Sequence, residues 1–143
     1  MPTPPKLQRI VDLFAGAPTD LRLLALLEYS RKLPALPPDL EGRREAMEQV
    51  VECQTPFFLA TEVDDERRVH VWFDAPPQAP TTRGFAGVLA EGLDGATVEE
   101  VLETPEDFYT RMGLAEVISS LRLRGMGAIL FRLKRQVREA AAA

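Results

Sequence analysis

The chain has 143 residues, of which 45% are hydrophobic and 27% are charged, a composition typical of one folded domain rather than a disordered chain. Its formal net charge of −5 provides no basic field that would attract phosphates, so nucleic acid is not an expected partner. The chain starts without an apolar signal core, and its longest aliphatic cluster, residues 23–27, is too short to span a membrane; we therefore expect no membrane association and a cytoplasmic location.

The first part of the chain predicts two helices. Prolines at residues 4 and 5 favour the start of the first, and Gly16 favours its end. Its apolar residues recur at helical spacing and form the expected buried face: Leu7, Ile10, Val11 and Phe14. The second helix is predicted to begin at Thr19 or Asp20 and to end before Pro34. Its expected apolar stripe consists of Leu23, Leu24 and Leu27.

The middle of the chain predicts a small antiparallel sheet. Extended pieces are expected at residues 49–51, 57–63 and 68–73, and residues 64–66 join the last two as a hairpin. Alternation in the last piece sets Val71 on one face and His70 on the other. We therefore expect one face of the sheet to pack on helices and the other to be less buried.

The last part of the chain predicts helices again. Thr81 or Thr82 is expected to cap one helix, and Thr97 with Glu100 has the spacing of a capping box. A final helix is expected after Ser120, and its inner face collects apolar residues at helical spacing: Met126, Ile129, Leu130, Leu133 and Val137.

This order of elements defines the expected fold class as α+β, with a small three-stranded antiparallel sheet packed against helices. No internal repeat or second domain is evident. Residues 1–143 are therefore expected to form a single domain, with its core over residues 7–138 and a disordered tail over residues 140–143.

Basic residues dominate the C-terminal segment, where Arg or Lys occurs seven times between residues 111 and 138 against the single Glu116. Two interpretations remain open. The segment forms the solvated face of a terminal helix, or it forms a docking strip for an acidic partner surface.

Cys53 is the only cysteine in the chain, and it lies where one extended piece ends and the next begins. A single sulfur forms neither an internal disulfide nor a four-thiolate metal cage. A thiol at such a turn is suited to presentation to a partner, as a nucleophile or a sulfur carrier. A nearby Glu52 carboxylate would raise the pKa of the thiol, so that Cys53 would react slowly until a partner activates it.

Other chemical sites find little support. The glycines at residues 84 and 87 lack the spacing of a phosphate-binding loop. A metal site would need Cys53, His70 and scattered carboxylates without paired spacing, so no metal is expected. A Cys–His catalytic pair remains formally possible, but the position of His70 in an alternating strand favours a structural histidine.

Five segments, in this order and spacing, resemble the SufE/CsdE family of sulfur acceptors that work with cysteine desulfurases in iron–sulfur cluster assembly. Their sequences are Tyr-Ser-Arg-Lys-Leu-Pro-Ala-Leu-Pro at 29–37, Glu-Cys-Gln-Thr-Pro-Phe at 52–57, Arg-Gly-Phe at 83–85, Phe-Tyr-Thr-Arg-Met-Gly-Leu at 108–114, and Arg-Leu-Arg-Gly-Met at 122–126. The second resembles the family segment that holds the sulfur-accepting cysteine. The resemblance extends from about residue 7 to residue 138.

The resemblance implies a SufE/IscU-like fold and a sulfur-transfer accessory protein rather than a stand-alone enzyme. Its partners would be a cysteine desulfurase of the SufS/CsdA type, which holds the pyridoxal phosphate, and a downstream SufBCD-like scaffold. The chain itself would need no cofactor. The implied site residues are Cys53 as the persulfide-forming acceptor, Gln54 and Arg122 as supporting residues, and Glu52, Gln78 and Arg83 as partner contacts.

Three places depart from the family pattern, one of which is Ser-Ser-Leu at 119–121, where Ser-Pro-Ser is usual. Glu52 stands where the family has glycine, and a glutamate forced to a positive φ would be strained by about 1–2 kcal/mol. Gln78 stands where an aspartate is common, in a loop that is rich in proline here.

Two other functions remain as alternatives. One is a thiol-independent interaction domain that activates a desulfurase allosterically. The other is a small hydrolase that uses Cys53 and His70.

Overall fold

The computed structural model describes residues 3–142 and has an α+β fold, which confirms the predicted class. Short 3-10 turns occur at residues 44–46, 108–112 and 114–116. The helices and strands are α1 Pro5–Gly16, α2 Thr19–Arg31, β1 Glu48–Gln49, β2 Phe58–Val63, β3 Val69–Asp74, α3 Pro80–Leu93, α4 Val98–Glu103 and α5 Ser120–Ala142. Within the described residues no helix is both long and apolar enough to cross a membrane.

Helices α1 and α2 pack on α3. Helix α1 buries the four apolar residues that its spacing predicts. The predicted stripe of α2 is wrong, because α2 buries Leu26 and Tyr29 while Leu24 is 56% exposed. The reason lies in α3, where Gly84 and Gly87 have no side chain: a Cβ at either position would collide with the backbone oxygen of Leu26 or Tyr29. This close approach selects the face that α2 buries.

The three strands form one antiparallel sheet in the order β1-β2-β3. Leu59 pairs with Phe73 and Thr61 with Val71, so these residues share the inner face, on which α5 packs against β2 and α3 against β3. The free edge of β3 is covered by the segment after α3, since Asp94 Oδ1 accepts from the backbone N–H of Val71 at 3.1 Å. One sheet face thus packs on helices and the other is less buried, as the alternation predicted.

Of the two sequence signals for helix starts, the capping box is confirmed and the threonine cap of α3 is wrong. Thr97 and Glu100 form the predicted capping box of α4. Helix α3 begins at Pro80, with Ala79 rather than a threonine as its N-cap residue, because proline is well suited to the first helical position.

Helix α5 buries all five predicted apolar residues. It continues to Ala142, so residues 140–142 are helical where the sequence predicted a disordered tail; alanine has the highest intrinsic helix propensity and extends an existing helix readily. Residue 143 lies outside the described residues.

Candidate functional site

Cys53 lies in the loop of residues 51–56, which connects β1 to β2. The loop is closed at its base by the backbone N–H of Val50, which donates to Phe57 O at 2.8 Å, and Cys53 N donates to Val50 O at 3.1 Å in a tight turn. Glu52 does not have a positive φ, since Arg67 is the only non-glycine residue between residues 3 and 142 that does. Glutamate therefore adopts this backbone conformation without the strain that a positive φ would have caused.

The thiol faces a cavity of about 260 Å³. Three parts of the fold form its walls: the cysteine loop, the start of α3 with the residues before it, and the start of α5. Gly125 lies beside the sulfur, because a Cβ built there would lie 3.4 Å from Cys53 Sγ. Cys53 itself is partly buried and packs against the core. The structure thus stores the thiol in a sheltered space rather than on an open surface.

Burial is the main reason that the pKa of Cys53 rises from its ordinary 9.0 to about 11. The Glu52 carboxylate raises this pKa further, and the Arg132 guanidinium opposes the rise. At pH 7 only roughly one thiol in ten thousand is then ionised. Because the thiolate is the nucleophile, the free protein holds Cys53 in an unreactive form.

Glu52 is bound by α5 through a bidentate ion pair with Arg132, which we call the Glu52–Arg132 clasp. Arg132 donates Nε to Glu52 Oε1 and Nη2 to Glu52 Oε2, both at 3.1 Å, and its Nη1 donates to Glu48 Oε2 at 2.7 Å. Arg135 also binds Glu48. These contacts fasten both the cysteine loop and β1 to α5.

The basic segment of residues 111–138 was interpreted either as a solvated helix face or as a docking strip for an acidic partner, and the contacts of its cations distinguish how it is used within the fold. Arg132 and Arg135 are paired within the fold, and the buried Lys134 donates to Thr104 O at 2.7 Å. These three cations hold α5 in place, while Arg124 and Arg138 are exposed. The segment therefore stabilises the fold from within and is only partly a solvated face.

Across the cavity, Arg122 lies on the first turn of α5. Its Nη1 donates to Thr81 Oγ1 of α3 at 3.2 Å, which joins two cavity walls. Thr55, on the cysteine loop, also lines the cavity, but its buried Oγ1 has no hydrogen-bond partner. An unpartnered buried hydroxyl costs about 1–3 kcal/mol in desolvation, and such groups are uncommon in folded proteins.

The structure brings five of the six predicted site residues to this cavity, and these are Glu52, Cys53, Gln54, Gln78 and Arg122. Arg83 is not among the lining residues. Its Nε donates to Ser30 O at 3.0 Å and its Nη1 to Ala75 O at 2.5 Å, so its guanidinium ties α3 to the end of α2 and to the loop after β3.

Sequence reasoning missed four residues that shape the site: Thr55, Thr81, Gly125 and Arg132. Helical periodicity offered one signal, because Gly125 and Arg132 are two turns apart and share a face of α5. The contacts of Thr55 and Thr81 had no comparable signal. Neither Phe57 nor Phe58 lines the cavity.

His70 does not pair with Cys53. It lies opposite Glu62, near the turn of the β2–β3 hairpin, whereas the cysteine loop enters β2 at the other end, where Phe58 pairs with Asp74. His70 Nε2 is 2.9 Å from Asp64 Oδ2, and this hydrogen bond raises the pKa of His70. The hydrolase alternative therefore lacks its base. Among residues 3–142 no three His, Cys, Asp or Glu side chains are grouped so that they could hold a metal ion.

The sequence matches the SufE family, described as an Fe-S metabolism associated domain, over residues 8–137. It is 51% identical over 137 residues to an uncharacterized SufE-like protein of Mycobacterium tuberculosis strain H37Rv, a match that covers 96% of this chain and 94% of the relative. The chain therefore belongs to the SufE family, as its motifs indicated.

More distant relatives carry functional names. Identity is 31% to SufE-like protein 1, chloroplastic/mitochondrial, of Arabidopsis thaliana, over 86% of this chain and 32% of the relative. It is 26% to the cysteine desulfuration protein SufE of Plasmodium falciparum, over 91% of this chain and 53% of the relative. The solution structure of a hypothetical protein from Thermus thermophilus has the same fold, with a TM-score of 0.88, 46% identity, and coverage of 99% of this chain and 100% of that one.

Proposed function

We propose that this chain accepts sulfur on Cys53 from a cysteine desulfurase and passes it on for iron–sulfur cluster assembly. The single observation that carries the proposal is the position of the only cysteine of a SufE-family chain, which faces a sheltered cavity bordered by an exposed rim. In this reaction the Cys53 thiolate attacks the terminal sulfur of a persulfide on the desulfurase. A new S–S bond forms on Cys53, the S–S bond of the donor breaks, and the donor cysteine leaves as a thiolate.

The cavity supports this role in two ways. Its volume of about 260 Å³ leaves space beyond Sγ for one more sulfur atom, which lies only about 2 Å from the first. Its walls shield the resulting persulfide from free thiols that would reduce it. The raised pKa of Cys53 keeps the empty carrier unreactive until it meets its donor.

The rim of the cavity is the proposed docking surface for the desulfurase. Leu121, Gln54 and Gln78 line the cavity and are exposed. Val51, beside them on the cysteine loop, is 68% exposed. A partner that covers this rim, which also carries the exposed charged residues Glu52 and Arg122, would exclude water from the transfer. We propose a desulfurase of the SufS/CsdA type as donor, which holds the pyridoxal phosphate, and a SufBCD-like scaffold as acceptor, both in the reducing cytoplasm.

The test measures the turnover of a cysteine desulfurase with cysteine, in the presence of the wild-type chain or of Cys53→Ser. We expect stimulation by the wild type and its loss in the variant, because serine cannot remove sulfur from the donor persulfide. Stimulation that survives in Cys53→Ser would favour the thiol-independent activator instead. The Arg83→Lys variant, altered outside the cavity, tests whether this partner contact predicted from the sequence contributes to docking.

A further inference from the structure

The outer face of α5 lies opposite the five apolar residues that this helix buries. Residues on it recur at alternating spacings of three and four, so their side chains form one stripe along the helix. We call this stripe the α5 outer stripe, and its members are Leu121, Arg124, Ala128, Phe131, Arg135 and Arg138. Leu121 also lines the cavity of Cys53. The stripe therefore starts at the rim of the proposed docking surface and continues away from it along α5.

Phe131 is the exposed aromatic residue of the stripe. It is 53% exposed, and among residues 3–142 its ring has no aromatic or cation–π partner. Long side chains of a helix lean towards its N-terminus, where Gly127 and Ala128 are too small to cover the ring. Aromatic residues are enriched at protein–protein interfaces, so Phe131 is suited to an apolar recess on a partner.

Arg124 and Arg138 lie seven residues on either side of Phe131 and are exposed. Most arginines of this chain are used within the fold. Within residues 3–142 the arginines without a hydrogen bond or an ion pair are Arg9, Arg124 and Arg138. Two of the three thus flank the exposed ring on one helix face, where both guanidinium groups are available to the carboxylates of a partner.

Charge is also divided between α5 and the rest of the chain. Helix α5 has six basic residues and one acidic residue, a net charge of +5. Because the whole chain has a formal net charge of −5, the remainder has −10. An acidic surface is therefore repelled by the body of the protein and attracted by α5, which orients a partner before contact.

We infer that the α5 outer stripe docks an acidic surface of the cysteine desulfurase, with Phe131 in an apolar recess and with Arg124 and Arg138 against carboxylates. This inference rests on the proposed function, in which the donor reaches the thiol over the rim, next to Leu121. With a rise of about 1.5 Å per residue, Phe131 lies about 15 Å and Arg138 about 25 Å along the helix from Leu121. A standard interface covers about 800 Å² on each partner, a patch roughly 30 Å across. One docking event therefore covers both the rim and the stripe.

The experiment measures the turnover of the cysteine desulfurase against the concentration of this chain, at about 50 mM and about 500 mM salt, a change that shortens the Debye length roughly threefold. The variants are Arg124→Glu, Arg138→Glu and Phe131→Ala. Two matched controls lie on other helices. Arg9→Glu makes the same charge change at the exposed, unpaired arginine of α1, and Leu24→Ala shortens a 56% exposed residue of α2. The melting temperature and the iodoacetamide alkylation of Cys53 report whether each variant keeps its fold and the access to its thiol.

We expect the half-saturating concentration of the chain to rise about five- to tenfold in each arginine variant at low salt, and the difference to shrink at high salt because screening weakens charge contacts. Phe131→Ala should raise it about tenfold at both salt concentrations, since an apolar contact is not screened. At saturation each variant should reach the wild-type turnover, because Cys53 and its cavity are unaltered. Both controls should stay close to the wild type.

An unchanged half-saturating concentration in any of the three stripe variants, or an equal rise in Arg9→Glu, would overturn the docking role of the stripe and leave the sulfur carrier intact. The same conclusion would follow if sedimentation showed a dimer of the chain alone that Phe131→Ala dissociates, because the stripe would then bind a second copy. A wild-type chain that neither stimulates the desulfurase nor gains sulfur on Cys53 would overturn both.

Discussion

Glu52 is predicted to suppress the reactivity of Cys53. Its carboxylate raises the pKa of the thiol, while Arg132 lowers it. Glu52→Gln removes the carboxylate charge and leaves Arg132 in place, bound by Glu48, so the remaining charge favours the thiolate. Burial, the larger cause of the raised pKa, is unaffected. We therefore expect the pKa to fall from about 11 by about 0.5–1 unit, which gives roughly three- to tenfold more thiolate near neutral pH.

The assay is the rate of Cys53 alkylation by iodoacetamide between about pH 7 and 12.5, read by intact mass. The pH midpoint reports the pKa, and the plateau at high pH reports access to the sulfur, so a loosened loop is distinguished from a changed charge. Glu99→Gln is the matched control, because Glu99 is also an exposed carboxylate paired with an arginine, Arg67, but lies at the start of α4. A midpoint in Glu52→Gln that is unchanged, or higher than in the wild type, would refute the electrostatic role of Glu52.

Three further predictions follow from packing and charge. Gly125→Ala should raise the melting temperature, because alanine favours a helix by up to about 1 kcal/mol, yet slow sulfur uptake by Cys53, since its Cβ would lie 3.4 Å from Sγ; Gly16→Ala, with open space around it, should not affect uptake. Gly87→Ala should destabilise the fold by about 1–3 kcal/mol in urea unfolding, because its Cβ would collide with the backbone of α2, and an unchanged midpoint would contradict that packing. Asp64→Asn should lower the pKa of His70 measured by NMR, because the Asp64 hydrogen bond raises it. Stability from this pair should be complete between the ordinary pKa values of Asp64 and His70, 3.8 and 6.5, and decline as the pH rises through the raised pKa of His70. A His70 pKa that does not respond to Asp64→Asn would count against it.

Local signals in the sequence were sufficient for much of the fold. Prolines and glycines mark the limits of α1, alternation marks the faces of β3, and the spacing of Thr97 and Glu100 marks the start of α4. The buried face of α5 also follows from its spacing. In each case the residues that decide the structure are neighbours along the chain, so a single segment contains the information.

The face of α2 could not be predicted in this way. Leucines occur on several sides of this helix, so its periodicity does not choose between them. The choice is made by Gly84 and Gly87 of α3, more than fifty residues away, which admit the backbone of α2 at Leu26 and Tyr29. Long-range packing overrides a weak local pattern here.

The candidate site also combines residues that the local sequence predicts with residues that only long-range packing brings there. Cys53 and its turn were predictable because the cysteine is unique and lies between two extended pieces. The clasp partner Arg132 and the cavity wall at Gly125 were not, since they depend on how α5 packs beside the cysteine loop. Arg83 was predicted from a motif to contact the partner. In the structure its guanidinium instead donates to two backbone oxygens within the fold.

The most direct test of the account is the mass of the Cys53 peptide after incubation of the chain with a cysteine desulfurase and cysteine. The account predicts a gain of one sulfur atom on Cys53, reversed by a reducing thiol and absent in Cys53→Ser. A peptide that keeps its unmodified mass, while the desulfurase turns over and loads its own cysteine, would contradict the account.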